Sequence, residues 1–199
     1  MIVAACAVVL DLLELDACSG NVGVVFFSGL NGMVMSAVFF PCWDGDRYVV
    51  SCDERVADSG SVAYGQGSGA GEIAAWLEGD FGCLGRGSEQ RTRGSFDAVA
   101  SDAKGGSCVH FGEGHVVLRV RDLFLVFSRW NRNNVALLNK AQIVSVLDLY
   151  ASFRSVNPRR RERPPAPFEF EFEAEGDDAI RRFVDAGGDV ARLEDGFSG

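Results

Sequence analysis

Apolar residues in the first part of the chain gather in short runs that glycine and asparagine interrupt. Two runs rich in valine and phenylalanine flank the turn signal at 29–32, which predicts a β-hairpin. The strands expected here are residues 20–29, 33–43, 47–54 and 61–66. A short helix is expected from Gly71 to Glu78. The first part therefore predicts strands followed by a helix.

The same order recurs in the second part, after a glycine-rich connector at residues 82–94. The strands expected there are residues 95–102, 107–113, 115–122 and 123–130. A helix over 140–154 follows, with Asn139 placed as its N-cap. The apolar positions of this helix, at helical spacing, are Ile143, Val146, Leu147 and Tyr150.

The last part of the chain begins with a basic run between prolines, residues 158–167, which predicts an exposed linker. Residues 168–175 then alternate phenylalanine or alanine with glutamate. A strand with this pattern has one apolar and one acidic face, so it can add to a sheet edge or bind a partner in trans. We expect the region after Asn157 to pack poorly against the core and to be separable.

These patterns predict an α+β fold, mainly antiparallel strands with a few helices. A hydrophobic content of 47% in 199 residues suffices for a sizeable core. The domains expected are a strand-rich acidic unit at 1–81, a strand-rich basic unit at 95–157, and a linker with an acidic tail at 158–199. Each of the first two units ends in a helix.

Membrane and secretory signals are weak. The apolar run from Ile2 to Leu10 is about half the length of a membrane span, and no basic segment precedes it. The six cysteines form no CxxC pair, which is typical of buried thiols in a reducing compartment. An intracellular protein, nuclear or cytoplasmic, is expected, with no membrane partner.

The sequence contains little that marks a catalytic site. There are two histidines, His110 and His115, and no GxSxG, Walker or HExxH motif, so we expect no enzyme and no cofactor. Cys108 and the two histidines are candidate zinc ligands. No fourth ligand follows at standard spacing, so no metal site is predicted.

The net charge of -9 conceals a basic middle between two acidic ends. Residues 1–85 have two basic and eleven acidic side chains, and residues 162–199 have four and eleven. Residues 86–161 have thirteen basic and six acidic side chains. Such a middle can attract polyanions, although its charges can also neutralise the acidic ends within one fold.

Residues 115–154 contain the segment RVRDLFLVFSRWNRNNVALLNKAQIVSVLDLY. It resembles the end of the positive-cofactor-four family of single-stranded-DNA-binding coactivators, in which a strand with a basic–acidic–aromatic corner precedes a basic loop, a short strand and a helix. Here residues 121–124 match the corner, 129–133 the loop and 136–139 the short strand. Ile143 replaces the family's usual tryptophan, and the loop lacks its Pro-Gly. The related Whirly folds repeat four strands and a helix.

The resemblance implies a curved antiparallel sheet whose groove binds single-stranded nucleic acid. The residues expected to bind it are Arg119, Arg121, Arg129, Trp130, Arg132 and Lys140. The basic side chains would contact phosphates, and Trp130 would stack on a base. Phe124 and Phe127 lie on opposite faces of their strand, so at most one can join the groove. In the family, a homodimer forms this groove. Two fused halves of one chain would form such a groove without a second chain.

Two functional interpretations are favoured over a third, an enzyme using aspartate and glutamate carboxylates with Cys108 or His110, because no spacing selects a pair for it. The first is a regulatory protein that binds single-stranded DNA or RNA in transcription or genome maintenance. The second is an acidic protein–protein interaction or inhibitor module, compatible with a viral origin, which binds a protein through residues 168–175 or the acidic tail. Under the second, Arg119 and Arg121 are an ordinary solvated strand face and Trp130 packs in the core.

Overall fold

The computed structural model describes residues 25–27, 34–52, 68–82, 91–94, 96, 106–131, 134–156 and 162–191. The strands are β1 (Val25–Phe27), β2 (Val34–Trp43), β3 (Tyr48–Ser51), β4 (Ser107–Phe111), β5 (His115–Val120), β6 (Leu123–Ser128), β7 (Val135–Asn139), β8 (Phe168–Phe172) and β9 (Ala174–Glu175). The helices are α1 (Gly69–Trp76), which continues as a π-helical turn (Leu77–Gly82), α2 (Lys140–Ser155) and α3 (Gly176–Asp185). Two antiparallel sheets with helices confirm the predicted α+β class.

The first sheet is organised around the long strand β2. β1 and β3 pair with its two ends, which confirms the predicted hairpin and third strand. β8 pairs with Met35 to Phe39. The strand expected at residues 61–66 lies outside the described residues.

The second sheet is a meander of β4, β5, β6 and β7, with β9 added beside β7. Side chains from one of its faces, including Val117 and Phe124, join a core shared with α1, α2 and the first sheet. Side chains from the other face, including Leu125 and Phe127, pack with Phe183 of α3. Strands β5, β6 and β7 are therefore buried on both faces and present no open face of the kind the resemblance implied, whereas β4 carries exposed residues such as Phe111.

Helix α1 is buried on almost all sides. Its glycines and alanines leave little side-chain volume, and Gly69 lies so close to Glu175 that a Cβ there would be 2.7 Å from the glutamate Cβ. The Ser68 side chain caps the helix by accepting from the Gly71 N–H at 3.0 Å. The predicted helix is confirmed, beginning two residues earlier, and small residues allow it to fit between neighbouring elements.

Helix α2 confirms the helix predicted from residue 140. Asn139 accepts from the Gln142 N–H at 2.9 Å, and the Gln142 side chain accepts from the Asn139 N–H at 2.9 Å, which forms a capping box. The four predicted apolar positions are buried. None of the described helices is both long and apolar enough to cross a membrane.

The prediction that the region after Asn157 packs poorly is wrong. β8 completes the first sheet, β9 extends the second, and α3 covers one face of the second sheet. Phe172 and Phe183 are fully buried. The alternating strand therefore adds to a sheet edge of its own chain, because its apolar side is needed in the core.

The predicted connector at 82–94 is only partly described: residues 91–94 are helical, and Arg93 forms an ion pair with Asp148 at 2.6 Å. Phe96 is also helical, so the strand expected at 95–102 does not include it. One core cluster combines residues from all three predicted segments. The described residues thus show a shared interior where separate units were expected.

Candidate functional site

Arg119, expected on an exposed strand face, is buried. Only 6% of its surface is exposed. Its Nη1 donates to the carbonyl of Phe96 at 2.6 Å, and its Nε donates to the carbonyl of Arg121 at 2.8 Å. The guanidinium lies over the Phe124 ring, 5.4 Å from its centroid. The prediction that Arg119 meets phosphates is wrong, since these contacts hold it inside the protein.

Arg121 and Lys140 lie far from Trp130. Arg121 is exposed in the tight turn between β5 and β6, where its φ is +52°. Lys140 begins α2, next to Asn139, which pairs with Leu123 at the same end of the sheet. Trp130 follows the opposite end of β6, about 20 Å away at the usual rise per residue of a strand. The six predicted residues therefore do not form one surface.

Arg129 and Trp130 form an exposed surface with Phe111, which the sequence analysis did not select. Trp130 is 81% exposed and Phe111 57% exposed. The Arg129 guanidinium carbon is 4.5 Å from the Phe111 ring centroid and 5.8 Å from that of Trp130. We call these three residues the aromatic–arginine surface. The interpretation that packs Trp130 in the core is wrong.

The loop geometry explains why Trp130 points outward. The Arg129 N–H continues the β5–β6 pairing by donating to Gly114 at 2.9 Å. The Trp130 N–H then donates to the Ser128 hydroxyl at 3.1 Å, which turns the chain away from the sheet. Arg132 lies outside the described residues.

A pocket of about 480 Å³ opens beside this surface. Its polar lining includes Asp80, His110, Glu113 and Arg129. Asp80 comes from the π-helical turn after α1, and His110 and Glu113 come from the β4–β5 hairpin. A Cβ at Gly112 would overlap the Asp80 carboxylate, so glycine is required where the hairpin meets that turn. π-Helical turns of this kind are frequent at functional sites.

Asp80 joins both histidines of the chain. Its Oδ2 is 2.8 Å from His110 Nε2, and its Oδ1 is 3.7 Å from His115 Nδ1. Burial would raise the pKa of Asp80, but the hydrogen bond with His110 and the proximity of His115 outweigh burial and hold that pKa at about 2. Asp80 is therefore a carboxylate at neutral pH.

Two further buried carboxyl groups lie near this network. Oε1 of Glu72 is 3.4 Å from His115 Nε2 without forming a hydrogen bond, and burial raises the pKa of Glu72 to about 8. Burial also raises the pKa of Glu78 to about 6, against the opposing effects of the Val50 N–H and Arg47. Glu72 is therefore mostly protonated at neutral pH.

The described lining of the pocket brings together one imidazole, two carboxylates and one guanidinium. The Asp80–His110 pair holds Nε2 of the imidazole in a hydrogen bond. No serine, threonine, cysteine or lysine lines the pocket within the described residues. No three histidine, cysteine, aspartate or glutamate side chains of the described residues are grouped to hold a metal ion. Cys108, the third candidate ligand, instead contacts the His110 carbonyl at 3.3 Å.

The sequence contains one signal for this pocket that the motif search missed. The stretch HFGEGH, residues 110–115, places both histidines of the chain at either side of a glycine-rich turn that also carries Phe111 and Glu113. Comparisons of the chain with protein-family models, with curated proteins and with solved structures give no match.

Proposed function

We propose that the protein binds single-stranded nucleic acid through the aromatic–arginine surface. The observation that carries this proposal is the 81% exposure of Trp130 beside the Arg129 guanidinium and a second exposed ring, Phe111. Exposed aromatic rings next to arginine are what unpaired bases stack on, and this stacking requires single strands. A role in transcription or genome maintenance inside the cell would follow from such binding.

The positions of the basic residues limit how strongly phosphates contribute. Arg119 is buried, and Arg121 and Lys140 lie at the far end of the sheet. Arg129 and the predicted Arg132 remain, and they supply two phosphate contacts, or one where Arg129 binds a base instead. With one or two contacts, the logarithm of affinity should fall with the logarithm of salt concentration at a slope of about -0.7 to -1.4. Stacking is thus expected to dominate over charge.

The second interpretation, an acidic interaction module, has less support. Its expected binding segments were residues 168–175 and the acidic tail, and the first of these is already paired with β2 and β7 within the chain. A partner could add to this strand at an unpaired edge only. If single strands fail to bind, the acidic module becomes the better explanation.

The test is fluorescence anisotropy with labelled single-stranded DNA and RNA and with a duplex of the same length. We expect both single strands to bind more tightly than the duplex. Trp130→Ala should weaken binding by about 1–3 kcal/mol. Val184→Ala, which trims another exposed apolar side chain, is the matched control. Equal affinity of the wild type and Trp130→Ala, or no binding at low ionic strength, would refute the proposal.

A further inference from the structure

The pocket beside Trp130 has a charge distribution that suits a base better than a phosphate. Asp80 and Glu113 contribute two carboxylates, whereas Arg129 is the one guanidinium in its described lining. A phosphate that entered would be repelled by both carboxylates. A neutral base avoids that repulsion, and a volume of about 480 Å³ lies within the range of small-molecule sites.

Two polar groups of the pocket are available to a ligand. Both Asp80 oxygens are engaged, Oδ2 with His110 and Oδ1 with the Gly114 N–H at 3.3 Å. The exposed Glu113 carboxylate makes no hydrogen bond or ion pair with any described residue. Arg129 uses Nη1 for the carbonyls of Gly112 and Glu113, at 3.4 and 3.2 Å, so its Nη2 has no partner among the described residues.

We propose that this pocket binds a guanine base of the single strand, an inference that rests on the proposed function. Guanine presents two adjacent acceptors, O6 and N7. Nη2 of Arg129 can donate to them, whereas Nη1 is already used and Nε is buried. Its neighbouring N1–H and 2-amino group are donors that a carboxylate accepts. Arg129 and Glu113 provide this pair of complementary groups. Phe111, packed against the guanidinium, provides an apolar ring beside them.

The other bases fit this pair of groups less well. Adenine and cytosine carry a ring-nitrogen acceptor where guanine carries its N1–H donor, so a lone pair would face the Glu113 carboxylate. Uracil and thymine have one ring N–H between two carbonyl oxygens. The Glu113 carboxylate repels these two oxygens. The pocket therefore selects guanine by repulsion as well as by attraction. Trp130 would stack on the base next to it in the strand.

The inference is tested with labelled oligothymidylates that differ at one central position. The strands carry thymine, guanine, adenine or inosine there, and affinities are measured by anisotropy at fixed salt. We expect guanine to raise affinity about tenfold over thymine, in line with one good bidentate contact. Inosine lacks the 2-amino group and should lose part of that gain. Adenine should give no gain.

The Glu113→Gln variant separates base selection from general binding. It should still bind the all-thymine strand, no more weakly than the wild type because a repulsion of thymine is removed, and it should lose the preference for guanine. Glu171→Gln, an exposed glutamate of β8 outside this pocket, is the matched control and should keep the preference. Binding of all strands without a guanine preference would overturn the inference and leave the proposed function intact. Failure of every strand to bind would overturn both.

Discussion

The guanidinium of Arg182 in α3 donates to Glu173 twice. Nη2 is 2.6 Å from the carboxylate Oε2, and Nη1 is 2.5 Å from the Glu173 carbonyl. The other carboxylate oxygen accepts from Nδ2 of Asn139 at 2.9 Å. One glutamate therefore connects the N-cap of α2, the link between β8 and β9, and the last helix.

Removing this carboxylate should destabilise the whole protein. Glu173→Ala is expected to lower the free energy of unfolding by about 1.5–3 kcal/mol, because hydrogen bonds to charged groups contribute in that range. Urea denaturation followed by circular dichroism measures the change. Glu171→Ala, at an exposed position on β8, should change stability by less than about 0.5 kcal/mol. Equal effects of the two substitutions would contradict the role assigned to Glu173.

Cleavage of the chain between Pro158 and Pro167 should leave the tail bound. β8, β9 and α3 bury Phe170, Phe172 and Phe183 against the remainder of the protein. We expect nicked protein to elute as one species on size exclusion without denaturant. A chain that ends at Asn157 should fail to fold, since it exposes one face of the second sheet and an edge of β2. A folded 1–157 fragment would contradict this.

Stability should fall as pH rises from about 5 to about 8. The folded protein keeps the Glu72 proton up to a pKa of about 8, whereas the unfolded chain releases it near the ordinary value of 4.5. Raising pH through this window favours the unfolded state, by at most about 1.4 kcal/mol per pH unit. Glu78, whose pKa is about 6, acts in the same direction over the lower part of the window.

Thermal unfolding of the wild type and Glu72→Gln across this window measures the effect. The variant cannot lose a proton there, so its stability should depend less steeply on pH. Asp80 contributes at lower pH. Its pKa in the folded protein is about 2, below the ordinary value of 3.8, so its contribution to stability is lost as pH falls below about 4. Identical pH profiles of the two proteins would show that Glu72 does not hold its proton on folding.

Arg121→Gly should stabilise the protein. Arg121 has a φ of +52° in the β5–β6 turn, a region that costs a residue with a Cβ about 1–2 kcal/mol and glycine much less. Glycine loses more conformational entropy on folding, which offsets part of this benefit. The free energy of unfolding should therefore rise by about 0.5–1 kcal/mol. The neighbouring Asp122 has no positive φ, so Asp122→Gly should give no gain. A rise in melting temperature for both variants, or for neither, would contradict this explanation.

Local sequence patterns predicted the elements that local chemistry determines. The Asn139 cap and the spacing of Ile143 and Tyr150 suffice to define α2. The strands β5 and β6 also contained a signal that was not used. Their nearly continuous apolar runs are typical of strands buried on both faces, as β5 and β6 are in the structure. Arg119, inside such a run, was more consistent with a buried cation than with an exposed one.

The parts that could not be predicted depend on contacts between distant residues. The Phe–Glu alternation indicated a strand with an apolar face, but not that its partner would be β2. The contacts of Asp80 with His110 and His115 depend on how α1 packs against the second sheet. Phe111 and Glu113 become part of a site only through this packing and the nearby Arg129.

The pairing of β8 with β2 determines when the first sheet can be completed. Ser36 on β2 and Glu169 on β8 are hydrogen-bonded across 133 positions of the chain. A ribosome synthesises all of that intervening chain before β8 emerges, so the edge of β2 opposite β1 stays unpaired during most of translation. Closing such a long loop is entropically costly and slows folding. An unpaired edge is also a template for pairing with another nascent chain. The yield of folded protein should therefore improve more when nascent chains are kept apart than when translation is slowed or the temperature is lowered.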